Sequence, residues 1–330
     1  QIRKMIIKAI PKTLQYAIGG GIGLFIAYIG FINAGFIEFG DVPALANFTD
    51  ANAQLALIGL VITAALMILK VKGAILIGIV LTTIIGIPMG VTSLDFSASQ
   101  FNISDVSQTF LALDIGGLFA DPEKIFLVLT TILAFSLSDT FDTIGTFIGT
   151  GRKSGIFDDK DEADLFQSKG FKSKMDKALF ADATATSIGS LLGTSNTTTY
   201  VESAAGIEAG GRTGLTSVFT AVLFLIALVF APVAGIVPGA ATAPALIIVG
   251  ILMMDSFGKI EWGNFDEALP AFFTAVVMPF SYSISNGIAA GFIFYVVSKM
   301  FKGKFKEVHP IMYIVTVLFI ANFIISAIPK

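Results

Sequence analysis

Two groups of residues in this chain have the types and spacing to do chemistry. The first is Ser138-Asp139-Thr140-Phe141-Asp142-Thr143-Ile144-Gly145-Thr146, inside a long apolar stretch. On a helix, Asp139, Asp142, Thr143 and Thr146 share one face at i, i+3, i+4 and i+7. The second is Thr194-Ser195-Asn196-Thr197-Thr198-Thr199-Tyr200-Val201-Glu202-Ser203, a polar run ending in a carboxylate. Acids at such depth are tolerated only where protein or a water-filled cavity surrounds them, and each costs roughly 2.5–3.5 kcal/mol at a helix centre. Neighbouring carboxyls held out of water suit a site that binds and releases a proton. Asp139, Asp142 and Glu202 are therefore the proton-coupling candidates. Asp139, Phe141, Thr199, Tyr200, Val201 and Glu202 are the substrate-contacting ones. Thr143, Asp182, Thr194, Ser195, Asn196 and Ser203 are secondary.

Each group has a structural alternative. Buried acids bonded to neighbouring Ser and Thr hydroxyls would be purely architectural, and a Ser/Thr N-cap with Glu at N3 would merely start a helix. Asp182 could join the site or bond its own helix. Phe141, beside the acids, is the aromatic residue placed to stack on a ligand. β-Branched threonines favour extended backbone, so 194–199 is expected to break the helix as a short strand. A half-helix beginning near Thr199 would aim its N-terminal amides into the same space.

The elements that must position these residues are membrane spans. The 330 residues are 55% hydrophobic and 14% charged, with a mean hydropathy of +0.84, against about 25% charged for an ordinary soluble chain. About 20 apolar residues cross the hydrocarbon layer. Apolar stretches fall at about 14–37, 54–70, 73–90, 125–150, 176–193, 198–209, 213–235, 241–255, 266–282, 285–301 and 308–328. The chain therefore reads as an all-α polytopic membrane protein. Two of its segments, 176–193 and 198–209, are short and polar and flank the threonine run; interrupted helices of this kind build transporter sites at the midplane. With no cysteine, thiol chemistry and disulfides are excluded. The single histidine, His309, lies beside Pro310 at an expected helix start, and no metal site is expected.

Lys and Arg set the orientation. They cluster at Gln1–Lys12, Lys70–Lys72, 151–177 and Lys302–Lys306, whereas 38–53 and 91–122 hold acids and no Lys or Arg. The basic segments are expected in the cytoplasm, with the protein in the plasma (inner) membrane. Gln1–Lys12 reads as a cytoplasmic linker and no signal peptide, so the chain is expected to be the C-terminal part of something longer. Residues 14–90 and 241–301 each read as one long span followed by a close pair, a weak internal symmetry of the kind repeated halves produce. Gly19-Gly20-Gly21-Ile22-Gly23, Gly145-x-x-x-Gly149 and Gly189-x-x-x-Gly193 read as close helix contacts. Gly210-Gly211-Arg212 reads as a helix end carrying a cation.

Ser138-Asp139-Thr140-Phe141-Asp142-Thr143-Ile144-Gly145-Thr146, then Gly193-Thr194-Ser195, Thr199-Tyr200-Val201-Glu202-Ser203-Ala204-Ala205-Gly206 and Gly210-Gly211-Arg212-Thr213-Gly214 closely resemble the AzgA-like purine permeases. These belong to the nucleobase–cation symporter-2 superfamily. The likeness extends to Ile10-Pro11-Lys12, Gly21-Ile22-Gly23-Leu24-Phe25 and Met278-Pro279-Phe280-Ser281-Tyr282-Ser283-Ile284. It implies fourteen helices in two inverted repeats of seven, a core domain moving against a gate domain, and purine uptake with protons. Residues 1–122 then form gate-type helices of the first repeat. Residues 123–235 form core helices bearing the site, and 236–330 gate-type helices of the second repeat. Asp139 and Tyr200-Val201-Glu202 align with the family's substrate-contacting positions. Related uracil and xanthine carriers commonly have Asn after the residue matching Glu202; Ser203 here favours hypoxanthine, guanine or adenine. The resemblance also implies about four earlier helices, one bearing a strand that pairs with 194–199, that this chain does not include. The expected partners are a purine base, the lipid bilayer and a second copy of the chain, with no nucleic acid; the cofactor expectation is none, with protons as the coupling ion. An anion carrier of the same fold is disfavoured by acids in the cavity. An intramembrane aspartyl protease would need its acids on two facing helices.

Overall fold

The computed structural model describes residues 9–94, 107–125, 156–157, 173–200, 210–230 and 235–327. It also describes single positions within 128–147, Asp139, Thr143 and Phe147 among them, together with Ser203, Ile207 and Val233. The helices are α1 (Lys12–Asn33), α2 (Ala51–Ile68), α3 (Ala74–Gly86), α4 (Lys174–Leu192), α5 (Gly214–Val229), α6 (Gly239–Met253), α7 (Phe265–Phe280), α8 (Ile284–Phe301) and α9 (Pro310–Ala327). The described positions from Ile125 to Phe147 on the segment bearing Asp139 are also helical. Three described helical segments, Lys12–Asn33, Ala51–Ile68 and Gly239–Lys259, are long and apolar enough to cross a membrane, and four shorter ones are mainly apolar. The protein is a helical, multi-pass membrane protein.

Helix starts follow local chemistry. Asp50 accepts from the amides of Asn52 and Ala53 at the head of α2. Ser173 and Asp176 form a reciprocal capping box on α4. The imidazole Nδ1 of His309 accepts from the Ile311 amide at 3.3 Å, so the lone histidine caps α9. Between α1 and α2, Ile37–Phe39 pairs antiparallel with Pro43–Leu45, with Glu38 opposite Ala44. This hairpin was not legible because its strands, β1 and β2, are only three residues each.

The chain packs as two units. One comprises Ile22–Asn102 and Gly214–Asp255. Its core joins Ala34 and Phe36 to Ala53, Leu55 and Ala56 of α2 and to Ala240, Ala243 and Ile247 of α6. Within it α2 and α3 meet through reciprocal small-residue contacts: Gly59 lies under Thr82 and Gly78 under Thr63. Both threonines return their hydroxyls to their own helix, Thr63 to the Gly59 carbonyl at 2.8 Å and Thr82 to that of Gly78 at 2.7 Å. No polar atom of the pair therefore faces lipid without a partner. On α5 every described residue from Gly214 to Leu228 is exposed, which suits an apolar helix bathed in acyl chains.

The other unit comprises Gln1–Gly21, Ile103–Thr213 and Ser256–Lys330. Its α7–α8 pair uses the same device, with Gly291 under Thr274 and Gly287 under Met278. Phe273 and Phe294 stack at 3.7 Å. At the ends of this pair the nearly buried ammonium of Lys299 lies between Glu307 at 3.3 Å and Glu267 at 3.7 Å. Lys302 pairs with Asp266. Gly20 and Gly21 on α1 leave room for Phe257 and for Ala275 and Met278, as expected of the glycine run.

Candidate functional site

Helix α4 ends where glycine permits it to. Gly193 takes left-handed backbone (φ 81°) and its amide returns to Gly189 and Ser190. The chain then doubles back without helical structure from Thr194 to Tyr200. The helix break expected at 194–199 is present. The expected strand is not formed among the described residues; side-chain hydroxyls tether the segment to α4 instead. The physical reason is a polar stripe on α4 made by Asp182, Thr186 and Gly189, spaced i, i+4, i+7.

Each member of that stripe meets a different part of the returning segment. The Asp182 Oδ1 accepts from the Thr199 hydroxyl at 3.3 Å, and its Oδ2 accepts from Thr143 at 3.1 Å. Thr143 spends its one proton on Asp182, so the Thr198 hydroxyl, 3.3 Å away, is the donor in their contact. Thr186 lies within reach of the Asn196 Oδ1 at 2.9 Å and the Thr197 carbonyl at 3.1 Å. A Cβ on Gly189 would stand only 2.6 Å from the Thr197 oxygen and 2.7 Å from that of Thr194. Gly189 makes room for the threonines, not for a neighbouring helix, which corrects that half of the Gly189-x-x-x-Gly193 reading; Gly193 does lie against another segment, at Thr109.

The helix bearing Asp139 closes the arrangement. Asp139 and Thr143, one turn apart, face the returning segment: the Asn196 amide nitrogen donates to Asp139 Oδ1 at 2.7 Å. Three pieces of chain thus converge, joined by two carboxylates, one amide and four threonines. Asp182 and Thr143 are buried, Asp139 partly so, while Asn196 and Tyr200 are exposed. Thr194 donates to the Ser195 carbonyl at 3.1 Å, and the Ser203 amide to the Tyr200 carbonyl at 3.1 Å, where helical structure resumes. Phe141, Asp142, Val201 and Glu202 lie outside the described residues, and with them the expected meeting of Asp139 and Glu202 across a cavity. Sequence reasoning ranked Asp182 second; its i+4 and i+7 spacing to Thr186 and Gly189 was the signal that would have raised it. It missed Thr186 altogether. Beyond the site, the guanidinium of Arg212 donates to the carbonyls of Ile207 and Gly211, ending its helix as expected.

Residues 1–290 match the Permease family, the xanthine/uracil permeases. The chain belongs to this family. The permease is 39% identical over 326 residues to the guanine/hypoxanthine permease PbuG of Bacillus subtilis, a match covering 98% of this chain and 70% of that one. It is 37% identical over 326 residues to the adenine permease AdeP of Escherichia coli, with the same coverage. It is 43% identical over 327 residues to MJ0326 of Methanocaldococcus jannaschii, named only as a permease, covering 98% of this chain and 71% of that one. The resemblance read from the motifs is thereby shown: the permease groups with purine carriers of the nucleobase–cation symporter-2 family and not with enzymes.

Proposed function

We propose that this permease takes up a purine nucleobase (hypoxanthine, guanine or adenine) by proton symport. The observation that carries the reading is the Asp139–Asn196 contact at 2.7 Å, which puts an acid of one helix against the point where another is interrupted. A planar base offers ring and exocyclic N–H donors, and Asp139 and Glu202 are acceptors suited to them. The threonine hydroxyls and the backbone of 194–200, which α4 leaves outside any helix, offer both donors and acceptors. The names of the relatives support the substrate class. Asp139, Asp142 and Glu202 are the proposed proton carriers, with Asp182 holding the interrupted segment in place.

The fourteen-helix, seven-plus-seven arrangement is proposed with it, as is the division into gate helices at 1–122 and 236–330 about a core at 123–235. So are a cytoplasmic location of the basic segments and assembly as a homodimer. An anion carrier is the weaker reading, because the polar groups gathered here include two carboxylates and no Lys or Arg among the described residues. The test is uptake of labelled hypoxanthine, guanine, adenine and uracil by cells expressing the protein in place of their own purine carriers, with and without a protonophore. Purine accumulation that the protonophore abolishes supports the reading. Uptake of none of the purines overturns it, and accumulation indifferent to the protonophore overturns the coupling.

A further inference from the structure

We infer that Asn196 is a positioning residue, which sets the orientation of the Asp139 carboxylate through a relay that begins at Thr186. The inference deepens the proposed purine site and rests on Asp139 belonging to it. A side-chain amide has a donor end and an acceptor end. Here both ends are used: the nitrogen donates to Asp139 Oδ1 at 2.7 Å and the oxygen faces the Thr186 hydroxyl at 2.9 Å. Turning the amide over would set its oxygen against a carboxylate oxygen, acceptor against acceptor, whereas the Thr186 hydroxyl can donate to one end of the amide or accept from the other. The orientation is thus decided from the Asp139 side, and Thr186 holds the far end in place.

The relay crosses three separate pieces of chain. Thr186 lies on α4, one turn beyond Asp182, and is set by a helix whose face is already tied down by the Thr143 and Thr199 bonds to that acid. Asn196 lies on the returning segment, and Asp139 on the third piece. A carboxylate on a helix rotates about two side-chain bonds, and a charge-assisted hydrogen bond to one oxygen removes much of that freedom. A ligand bonding to Asp139 then meets an acceptor already aimed, and the ordering cost on binding falls. Thr186 reaches Asp139 only through Asn196; its one proton is shared between the Asn196 oxygen and the Thr197 carbonyl at 3.1 Å, so it also tethers the returning segment.

The test uses the purified protein in lipid nanodiscs, with hypoxanthine, guanine and adenine as probes. Asn196→Ala is expected to weaken binding of the preferred base at least about tenfold, the loss of one hydrogen bond to a charged group. Asn196→Gln, which keeps both a donor and an acceptor, recovers part of it. Thr186→Val gives a smaller loss, and adding it to Asn196→Ala costs less than Thr186→Val costs alone. Fully additive losses in the double variant, or native affinity in Asn196→Ala, overturn the relay. Wild-type protein that binds none of the bases overturns the purine reading instead. A second measurement is independent of any base: the Asp139 carboxylate stretch, isolated as the infrared difference between wild type and Asp139→Asn, should shift in Asn196→Ala. An unshifted band overturns the positioning role even where purine binding is established.

Discussion

The hydroxyl of Thr143 donates to the buried carboxylate of Asp182 across 3.1 Å, joining residues 39 apart in sequence. Asp182 spends its other oxygen on Thr199. One acid therefore holds both a neighbouring helix and the interrupted segment, and every polar atom in that junction has a partner, as burial in a membrane demands.

Replacing Thr143 with valine preserves shape and removes the hydroxyl. Asp182 then loses a donor and Thr198 an acceptor in a buried setting, which should cost about 1–3 kcal/mol. Thermal unfolding of the purified protein in nanodiscs measures this. An unchanged midpoint would mean that the Thr143–Asp182 bond contributes nothing to the fold.

Gly189→Ala should displace the returning segment, because the added Cβ meets the Thr194 and Thr197 oxygens at 2.7 and 2.6 Å. Those atoms sit on short β-branched side chains, and that of Thr194 is bonded to the Ser195 carbonyl, so they cannot swing clear cheaply. Uptake should fall at least about tenfold, as a displacement near 1 Å can cost far more than that in a preorganised site. Gly40→Ala, at a glycine with open space around it, is the control. Equal uptake by the two variants at equal membrane expression would refute the role assigned to Gly189.

Asp139→Asn is expected to abolish accumulation of purine against a gradient while leaving exchange of internal for external base. Glu202→Gln should weaken purine binding by at least about tenfold, or about 1.4 kcal/mol. Loading vesicles with unlabelled base and comparing net uptake with exchange separates the two variants. Native accumulation by Asp139→Asn would move the coupling role to Asp142, and native affinity in Glu202→Gln would take that residue out of the site.

Acid should loosen the turn between α8 and α9. Hydrogen bonds from Lys304, and then Lys299, hold the exposed Glu307 carboxyl below its ordinary range. A carboxyl lowered in the folded state contributes stability above its unfolded value, about 4.3, and loses it as pH falls through the lower folded value. The unfolding midpoint should therefore drop below about pH 4 more steeply in wild type than in Glu307→Gln. Parallel profiles would show that the Lys304–Glu307 and Lys299–Glu307 pairs do not couple to folding.

The spans were legible because bilayer thickness and helix rise dictate their length: 54–70 and 285–301 were read within about three residues of α2 and α8. The break at 194–199 was legible because β-branched, hydrogen-bonding side chains compete with a helix, and Gly193 supplies a residue free to turn left-handed. His309 beside Pro310 read correctly as a helix start for the same local reasons. Only the tertiary structure decided what the threonines bond to. Hydroxyls carry no directional code in sequence, and the donors reaching Asp182 come from positions 17 and 39 residues away. The same holds for Thr186, an unremarked helix residue until Asn196 is folded back over it, and for Gly189, whose missing side chain matters because of what the returning chain places there. Local chemistry settles where helices start and stop; the pairing of polar groups across pieces of chain exists only once those pieces are packed.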